Sequence, residues 1–419
     1  MKSRIAPLLL LTAAGVGAGL LSAALSSCAT EAPLPYREVP AEARWWKGNT
    51  HTHTLWSDGD GAPELAADWY RSNGYDFLVL SDHNVYADHE RWFAVKDGTR
   101  LTPARVAALQ ERFGEASVDL RDREGVTEMR LKTLTELKQR FEKPGEFLFI
   151  AGEEVTDQAE GRPVHLNGLN LAGLVQPQGG GTVAETVQRD LDAIAAHGRA
   201  TGRTVLGHVN HPNFGWGFTV LDLAQIRGER FFEVYNGHRG VRNAGDASHP
   251  STEAMWDQAN LIRQAELGLP PLYGIASDDA HEYHANGVSV PGRGWVMVRA
   301  TELTPEAIVK AMRAGEYYAS SGVSLSDIRA DDLGLTVTIA AEAGLEYTTR
   351  FLGSRRHPDG RLELGVVLAE TAANPARYAF DGSELSVRAV VTSSRPHPNP
   401  YAAGDPETAW VQPVVPPAR

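Results

Sequence analysis

Residues 49–59 read NTHTHTLWSDG, which puts His51 and His53 one residue apart and Asp58 five positions beyond the second histidine. Residues two apart on a strand share a face, so both imidazoles project into one space, the way a strand end offers two nitrogens to a metal ion. An HxH pair is a weak signal alone, because two half-buried or surface histidines are common. Its weight depends on the other apolar runs, and these are rich in ligand types. LVLSDHN carries Asp82 and His83, FIAGEEVT carries Glu153 and Glu154, and RPVHLNG carries His165. LGHVNHP carries His208 and His211, and GIASDDAH ends in Asp278, Asp279 and His281. Imidazole suits zinc, iron and manganese, while several carboxylates allow two ions to be bridged. Cys28 is the only cysteine, so a thiolate zinc site is excluded. Candidates outnumber the four ligands of one tetrahedral ion, so the expectation is two or three divalent ions (Zn, Mn or Fe) holding a hydroxide at neutral pH and clamping substrate oxygens.

The elements that must position these groups follow from the spacing of apolar residues. Strands are predicted at 75–80, 147–152, 164–171, 204–209, 231–235, 272–276 and 295–300. Helical spacing falls between them, in APELAADWYRSNG with Pro63 at its start and Gly74 at its stop, in VAETVQRDLDAIAAHGRATG and in STEAMWDQANLIRQAELG. Such alternation predicts a parallel α/β sheet or barrel, in which catalytic groups come from the C-terminal ends of several strands. Residues 84–146 are long, charged and mostly helical in pattern, an insertion over one end of the barrel. From about residue 321 to 419 the helix signal stops, and alternating, turn-separated runs predict a small β-sandwich-like domain.

Taken in order, HTHTLWSDG, VLSDHN, GEEVT, VHLNGLNL, NHP and DDAH resemble the motifs of the polymerase-and-histidinol-phosphatase (PHP) family over roughly residues 45–320. The resemblance implies a distorted seven-stranded β/α barrel with a two- or three-metal site and, most commonly, phosphoester hydrolysis. It implies that His51, His53 and Asp279 bind a first ion, and that Asp58, His83 and His281 bind a second. Glu154 would bridge, His165 and His211 would serve a third ion, and Glu154, Asp279 and His281 would carry the catalysis. The position of Asp58 varies in the family between aspartate and histidine, so the second site's selectivity is open. More narrowly, NHPNFGWG, EVYNGH and SDDAH followed by GRGWVMVRA resemble a secreted or lipoprotein-type branch that includes a hydrolase of aryl carbamates.

Neighbouring residues carry plainer readings. Glu153 faces away from Glu154 on a strand and reads as structural, and Asp82 reads as a group that orients His83. His208 and His211 lie in one segment; the His-Pro pair favours His211 as ligand and leaves His208 for substrate contact. Asp278 is a base near the metals or a turn residue. Glu233, Tyr235, Asn236 and His238 could line the pocket or be ordinary turn residues, with Asn236 taken as a substrate contact. Arg239 and Arg293 are candidate clamps for a phosphate or another anion. His89, His197, His249, His284, His357 and His397 read as structural or exposed, and Trp45-Trp46 as packing at the barrel bottom or rim.

The 419 residues carry 40 Lys+Arg against 53 Asp+Glu, a net charge of -13 with no basic run, which disfavours nucleic acid as a partner. A small anionic substrate would therefore need a local positive site. At the N-terminus, Lys2 and Arg4 precede an apolar stretch from Ile5 to Leu25, as in a secretory signal. Leu25-Ser26-Ser27-Cys28 then resembles a lipobox, giving a signal peptide over 1–27, a lipidated Cys28 and a proline-containing tether over 28–44. An uncleaved membrane anchor is the alternative. Either places the body outside the cytoplasmic membrane of a bacterium, in the periplasm or on the cell surface. The sequence thus reads as a lipid-anchored metal-dependent hydrolase, acting on phosphoesters, with a carbamate or amide hydrolase and a non-catalytic metal-holding lipoprotein as alternatives. Cys28→Ser should abolish metabolic lipid labelling, and since Cys28 is the sole thiol no disulfide is lost with it; unchanged labelling would refute the anchor.

Overall fold

The computed structural model describes residues 34–284 and 287–417, so Cys28 and the expected signal lie outside the described residues. The described residues belong to one compact unit. Its elements begin with β1 (Arg44–Asn49), α1 (Pro63–Ser72) and β2 (Phe77–Leu80). The stretch expected as a helical insertion holds β3 (Trp92–Ala94), α2 (Pro103–Phe113), β4 (Leu120–Arg123), β5 (Val126–Arg130) and α3 (Leu134–Phe141), the three strands forming a sheet of their own. There follow β6 (Leu148–Ala159), β7 (Arg162–Leu169), α4 (Val183–Thr201), β8 (Leu206–Val209), α5 (Val220–Ala224), β9 (Phe231–Asn236), α6 (Thr252–Ala265) and β10 (Tyr273–Ser277). Then come β11 (Trp295–Ala300), α7 (Pro305–Arg313), β12 (Tyr317–Ser320), β13 (Leu325–Asp331), β14 (Gly334–Ile339) and β15 (Tyr347–Arg356). The chain closes with β16 (Leu362–Thr371), β17 (Ala376–Ala379), β18 (Glu384–Pro396) and β19 (Pro406–Val414).

Helix starts follow local chemistry. Pro63 and Pro103 occupy first turns, and Thr102, Thr133, Thr182, Ser251 and Thr304 each cap a helix by accepting a backbone N–H.

The main sheet has thirteen strands in the order β10-β9-β8-β7-β6-β2-β1-β11-β12-β19-β18-β15-β16. It is a mixed sheet, which corrects the expectation of a parallel one. β6 and β7 are a hairpin closed by Glu160 and Gly161, both at positive φ (54° and 72°), a turn whose twist suits adjacent strands and forces them antiparallel. β7 therefore runs against β2, β6, β8, β9 and β10, and His165 comes from its beginning, paired with Thr156 near the end of β6. The sheet is open in its ladder, and the expected closed barrel is not seen as such. The continuation of β1 meets the continuation of β10 only at the parallel bridge Thr52↔Ala280, through His53 N–H to Ala280 O (2.9 Å) and Asp279 N–H to His51 O (3.0 Å). The same sheet also runs past the boundary expected near residue 320, because β12 pairs with β19. β13, β14 and β17 form a small sheet that shares an apolar core with β15, β18 and β19, including Ile328, Val337, Phe351, Val391 and Val411.

Period-two alternation sorts the sheet's two faces. One face of β7 to β9 packs Leu166, Val209, Phe232 and Val234 against Val187 and Leu191 of α4 and Met255 and Trp256 of α6. On the other face Phe77, Ile150, Leu169, Leu206, Phe231 and Ile275 form an apolar plug with Ile308, Val309 and Met312 of α7. Counting by two from that plug gives Glu154, His165, Asn210 and Asp279 four residues from Ile150, Leu169, Leu206 and Ile275. An apolar floor thus carries a polar layer above it, at the end of the sheet where strands leave into loops.

One buried carboxyl outside that layer makes stability depend on pH. Burial raises Glu64, on α1, to about 7, while its own backbone, Lys132 and Arg140 pull the other way. The unfolded chain loses this proton near the ordinary value and the folded chain keeps it to about 7, so stability falls as pH rises between them. Glu64→Gln should remove that loss, gaining on the order of 3 kcal/mol over wild type between pH 4 and 8. Denaturant titrations across that range check it; parallel pH profiles would contradict it.

Candidate metal centre

Glu154 lies fully buried at the centre of the polar layer, within reach of five imidazoles. Its carboxylate is 3.4 Å from His51 Nε2, 3.3 Å from His53 Nε2, 2.8 Å from His83 Nδ1, 3.2 Å from His165 Nδ1 and 3.3 Å from His211 Nε2. Asp279 is second: its carboxylate is 3.3 Å from His51 Nε2, 3.1 Å from His53 Nε2, 3.5 Å from His281 Nδ1 and 4.0 Å from His211 Nε2. Asp58 closes the open side, 3.6 Å from His53 Nδ1, 3.5 Å from His83 Nε2 and 3.3 Å from His281 Nε2. All nine residues expected as ligands are thereby brought together.

The donor atoms fall into four overlapping sets, each with one atom per residue within 4.8 Å of the rest: His53, Asp58, His83 and His281; His51, His53 and Glu154; His51, His211 and Asp279; His83, Glu154 and His165. These differ in detail from the implied division, because Glu154 joins His165 and His83 whereas His211 goes with His51 and Asp279. The chemistry of the set suits metal ions on a direct observation. Glu154 Oε2, Asp279 Oδ1 and His165 Nδ1 are buried without a hydrogen-bond partner among the described residues, despite lying so close to other nitrogens and oxygens. Buried polar atoms are ordinarily paired; lone pairs that crowd together without pointing at one another fit a common cation.

Electrostatics agrees. Burial alone would raise Glu154 and Asp279, yet the charges of His83, His51 and His165 on the one, and of His51, His53 and His281 on the other, hold both well below the usual carboxylate range. Burial would likewise lower His51 and His83, but Asp279, Glu233 and Glu154 hold His51 well above its ordinary value, and Glu154 and Asp58 take His83 to about 11. His53 goes the other way, to about 3, through burial and the charge of His281. The metal-free cluster thus keeps its carboxylates ionised and balances them with protons on imidazoles, and divalent cations would take the place of those protons.

Surrounding groups set the orientations. His51 Nδ1 lies 2.8 Å from Glu233 Oε1, which turns Nε2 toward Glu154 and Asp279. Glu233 is itself held by Ser277 Oγ (2.6 Å), Asn236 Nδ2 (2.8 Å) and His211 N–H (2.7 Å). Asn210 Nδ2 donates to Glu154 Oε1 (2.7 Å) and to Asn167 Oδ1 (2.9 Å). His83 Nδ1 also meets Thr156 Oγ1 at 2.6 Å. Asn84, His211 and Asp279 hold positive φ (48°, 22° and 48°), a costly conformation for non-glycine residues that concentrates at functional sites. The insertion contributes Arg100, whose guanidinium donates to the carbonyls of Ser57 (2.6 Å) and Gly59 (2.9 Å) and so pins the loop of Asp58.

Sequence reasoning missed Asn210 and left Glu233 undecided; a charged residue within the apolar FFEVY run was the available signal. Several other readings are corrected. Asp82 does not orient His83: it accepts from Thr54 N–H (2.8 Å), Thr54 Oγ1 (2.9 Å) and Ser57 Oγ (2.6 Å), and so shapes the 54–57 loop. Asp278 accepts from Tyr70 Oη and the N–H groups of Gly292, Arg293 and Gly294, tying down that turn. Arg293 is no free clamp, because it is buried and its guanidinium donates to the carbonyls of Gly237, Val288 and Asn399. Asn236 is buried as well, and its amide is spent on Glu233 and Asp279 (3.1 Å). Arg239 is exposed, with no guanidinium partner among the described residues. His208 shares the face of Asn210 but sits one layer lower, fully buried; both of its nitrogens lack partners among the described residues, and burial lowers it to about 4. Glu153 faces away, as expected, accepting from Val175 N–H.

No family model matches this chain, and no curated protein does. Among solved structures it is similar to a two-domain protein from Bacteroides vulgatus described as containing a predicted PHP-like metal-dependent phosphoesterase. That likeness has a TM-score of 0.39 and 15% identity over 91% of this chain and 98% of the other. It is also similar to a proposed metal-dependent phosphoesterase from Bifidobacterium adolescentis, with a TM-score of 0.30 and 14% identity over 61% of this chain and 91% of the other. At such distances the functional reading rests on the side chains themselves.

Purified, metal-reconstituted protein should lose most of its bound metal on Glu154→Ala, which touches two of the donor sets, and part of it on His211→Ala. His208→Ala should keep it. Elemental analysis per chain reads the order, and metal lost only from the His208 variant would overturn it.

Proposed function

We propose that the protein is a multinuclear metal-dependent hydrolase of phosphoesters, with two or three divalent ions (Zn, Mn or Fe) held by the nine clustered residues. The observation that carries this reading is the buried Glu154 carboxylate among five imidazoles, together with crowded donor atoms that find no hydrogen-bond partner among the described residues. Bound divalent ions at such a cluster act as Lewis acids and make water a nucleophile at neutral pH. The chain's own groups do the rest. Glu154 and Asp279 stay ionised and would hold the ions, and Glu233 holds His51 in the tautomer that presents Nε2. His281 sits beside the more exposed Asp58 at the open side and would hold an ion there together with it, next to where substrate enters. No serine or cysteine nucleophile is required. Anchoring outside the cytoplasmic membrane through Cys28 belongs to the same proposal.

A second reading, hydrolysis of a carbamate or amide, is favoured by the loss of Arg293 as an anion clamp and by the Phe214 ring beside His165 and His211 (centroids 6.1 and 5.1 Å). Metal-loaded protein assayed on phosphomonoester, phosphodiester and aryl-carbamate panels separates the readings. Phosphoester turnover abolished by a chelator and restored by metal is expected. Turnover of carbamates alone would replace the lead reading with the second, and no turnover would favour a non-catalytic metal-holding protein.

A further inference from the structure

His238 lies outside the nine clustered residues yet beside them. Its ring centroid is 5.0 Å from that of His281, and 6.2 Å from that of Phe214, which itself packs against His165 and His211. The turn after β9 sets the ring rigidly. His238 N–H donates to Asn236 Oδ1 (2.8 Å), and Asn236 is anchored in turn by Glu233 and Asp279. The other end of the turn fixes the tautomer: Gly240 N–H donates to His238 Nδ1 at 3.0 Å. A nitrogen that accepts a backbone N–H carries no proton of its own, so the ring's hydrogen resides on Nε2. A Cβ on residue 240 would sit tightly against the His238 ring at 3.0 Å and Phe214 at 3.1 Å, so this close approach favours glycine. His238 is half-buried, and its Nε2 has no partner among the described residues.

We propose that His238 is a catalytic residue whose Nε2–H donates a hydrogen bond to an anionic oxygen of the substrate held at the cluster. The proposal rests on the phosphoester reading and names the donor that takes over the task expected of Arg293. A neutral imidazole with its acceptor side occupied can only donate from Nε2, so it favours an oxyanion without adding a charge that would repel cations at His281 and Asp279. The ring packs beside His281, with Asp279, His211 and His51 as its other charged neighbours, so it borders the cluster directly.

The test uses inorganic phosphate as probe on metal-loaded full-length protein, in wild type, His238→Ala and His238→Gln, with bound metal measured in each. Metal content should be equal in all three. Phosphate affinity by calorimetry should fall about 10-fold or more in His238→Ala, the scale of a hydrogen bond to a charged group, and recover in part in His238→Gln, whose amide can still donate. Equal affinity in wild type and His238→Ala, while wild type still hydrolyses phenyl phosphate, would overturn this proposal alone. Loss of metal from His238→Ala would overturn it by giving the residue a structural part in the cluster. Wild type that neither binds phosphate nor hydrolyses phenyl phosphate would overturn the phosphoester reading and this proposal together.

Discussion

The structure depends on one buried carboxylate. Glu154 is removed from water at the middle of the sheet and surrounded by imidazole nitrogens, all within 3.4 Å. An isolated carboxylate so placed would cost several kcal/mol, and here imidazole nitrogens converge on it from the ends of β1 and β2, from β7 and from the end of β8. That requirement organises the chain: strands distant in sequence must finish at the same level, with the same face turned inward. The apolar plug below, built from Phe77, Ile150, Leu169, Leu206, Phe231 and Ile275, sets that level by packing and keeps solvent from the cluster's underside.

Rigidity follows from the groups that surround the nine. Glu233 collects four contacts, from His51, Ser277, Asn236 and the His211 backbone, and thereby couples β1, β9, β10 and the loop after β8. Asp82 and Asp278 do comparable work on loops, each accepting from several donors, while Arg293 and Arg100 spend guanidinium groups on carbonyls. Polar residues near a cluster of this kind mostly hold the chain, and only those with an unspent donor or acceptor on the open side remain for substrate. His238 keeps an unspent nitrogen beside the cluster; Asn236 and Arg293 do not.

The candidate site was legible because its residue types are rarely placed at the ends of apolar runs without a reason. His51 and His53, two apart, enter one space on the continuation of β1 that bridges Thr52 to Ala280, whereas Asp279 and His281 reach it just past β10, where Asp279 turns at positive φ. What stayed hidden was pairing and satisfaction. The hairpin at Glu160-Gly161 reverses β7, and the run VHLNGLNL alone reads equally well in either direction. The pairing of Tyr318 with Val411, which continues the sheet beyond the expected boundary, depends on a contact between strands far apart in sequence that no local pattern records. Arg293 looked like a clamp because a sequence shows a guanidinium and not the three carbonyls that occupy it. His208 and His211 could be told apart only once the layer of each was known: two residues up the strand from His208 lies Asn210, and the positive φ of His211 then carries its ring into the cluster.

The central claim is that Glu154 is shared between metal ions. Anomalous diffraction from crystals of metal-loaded protein, collected on either side of the metal's absorption edge, tests it most directly. The account predicts at least two anomalous peaks with the Glu154 carboxylate within bonding distance of both, one toward His51 and His53 and another toward His83 and His165. A single peak bound by Asp58, His83 and His281 without Glu154, or no peak at all, would contradict it.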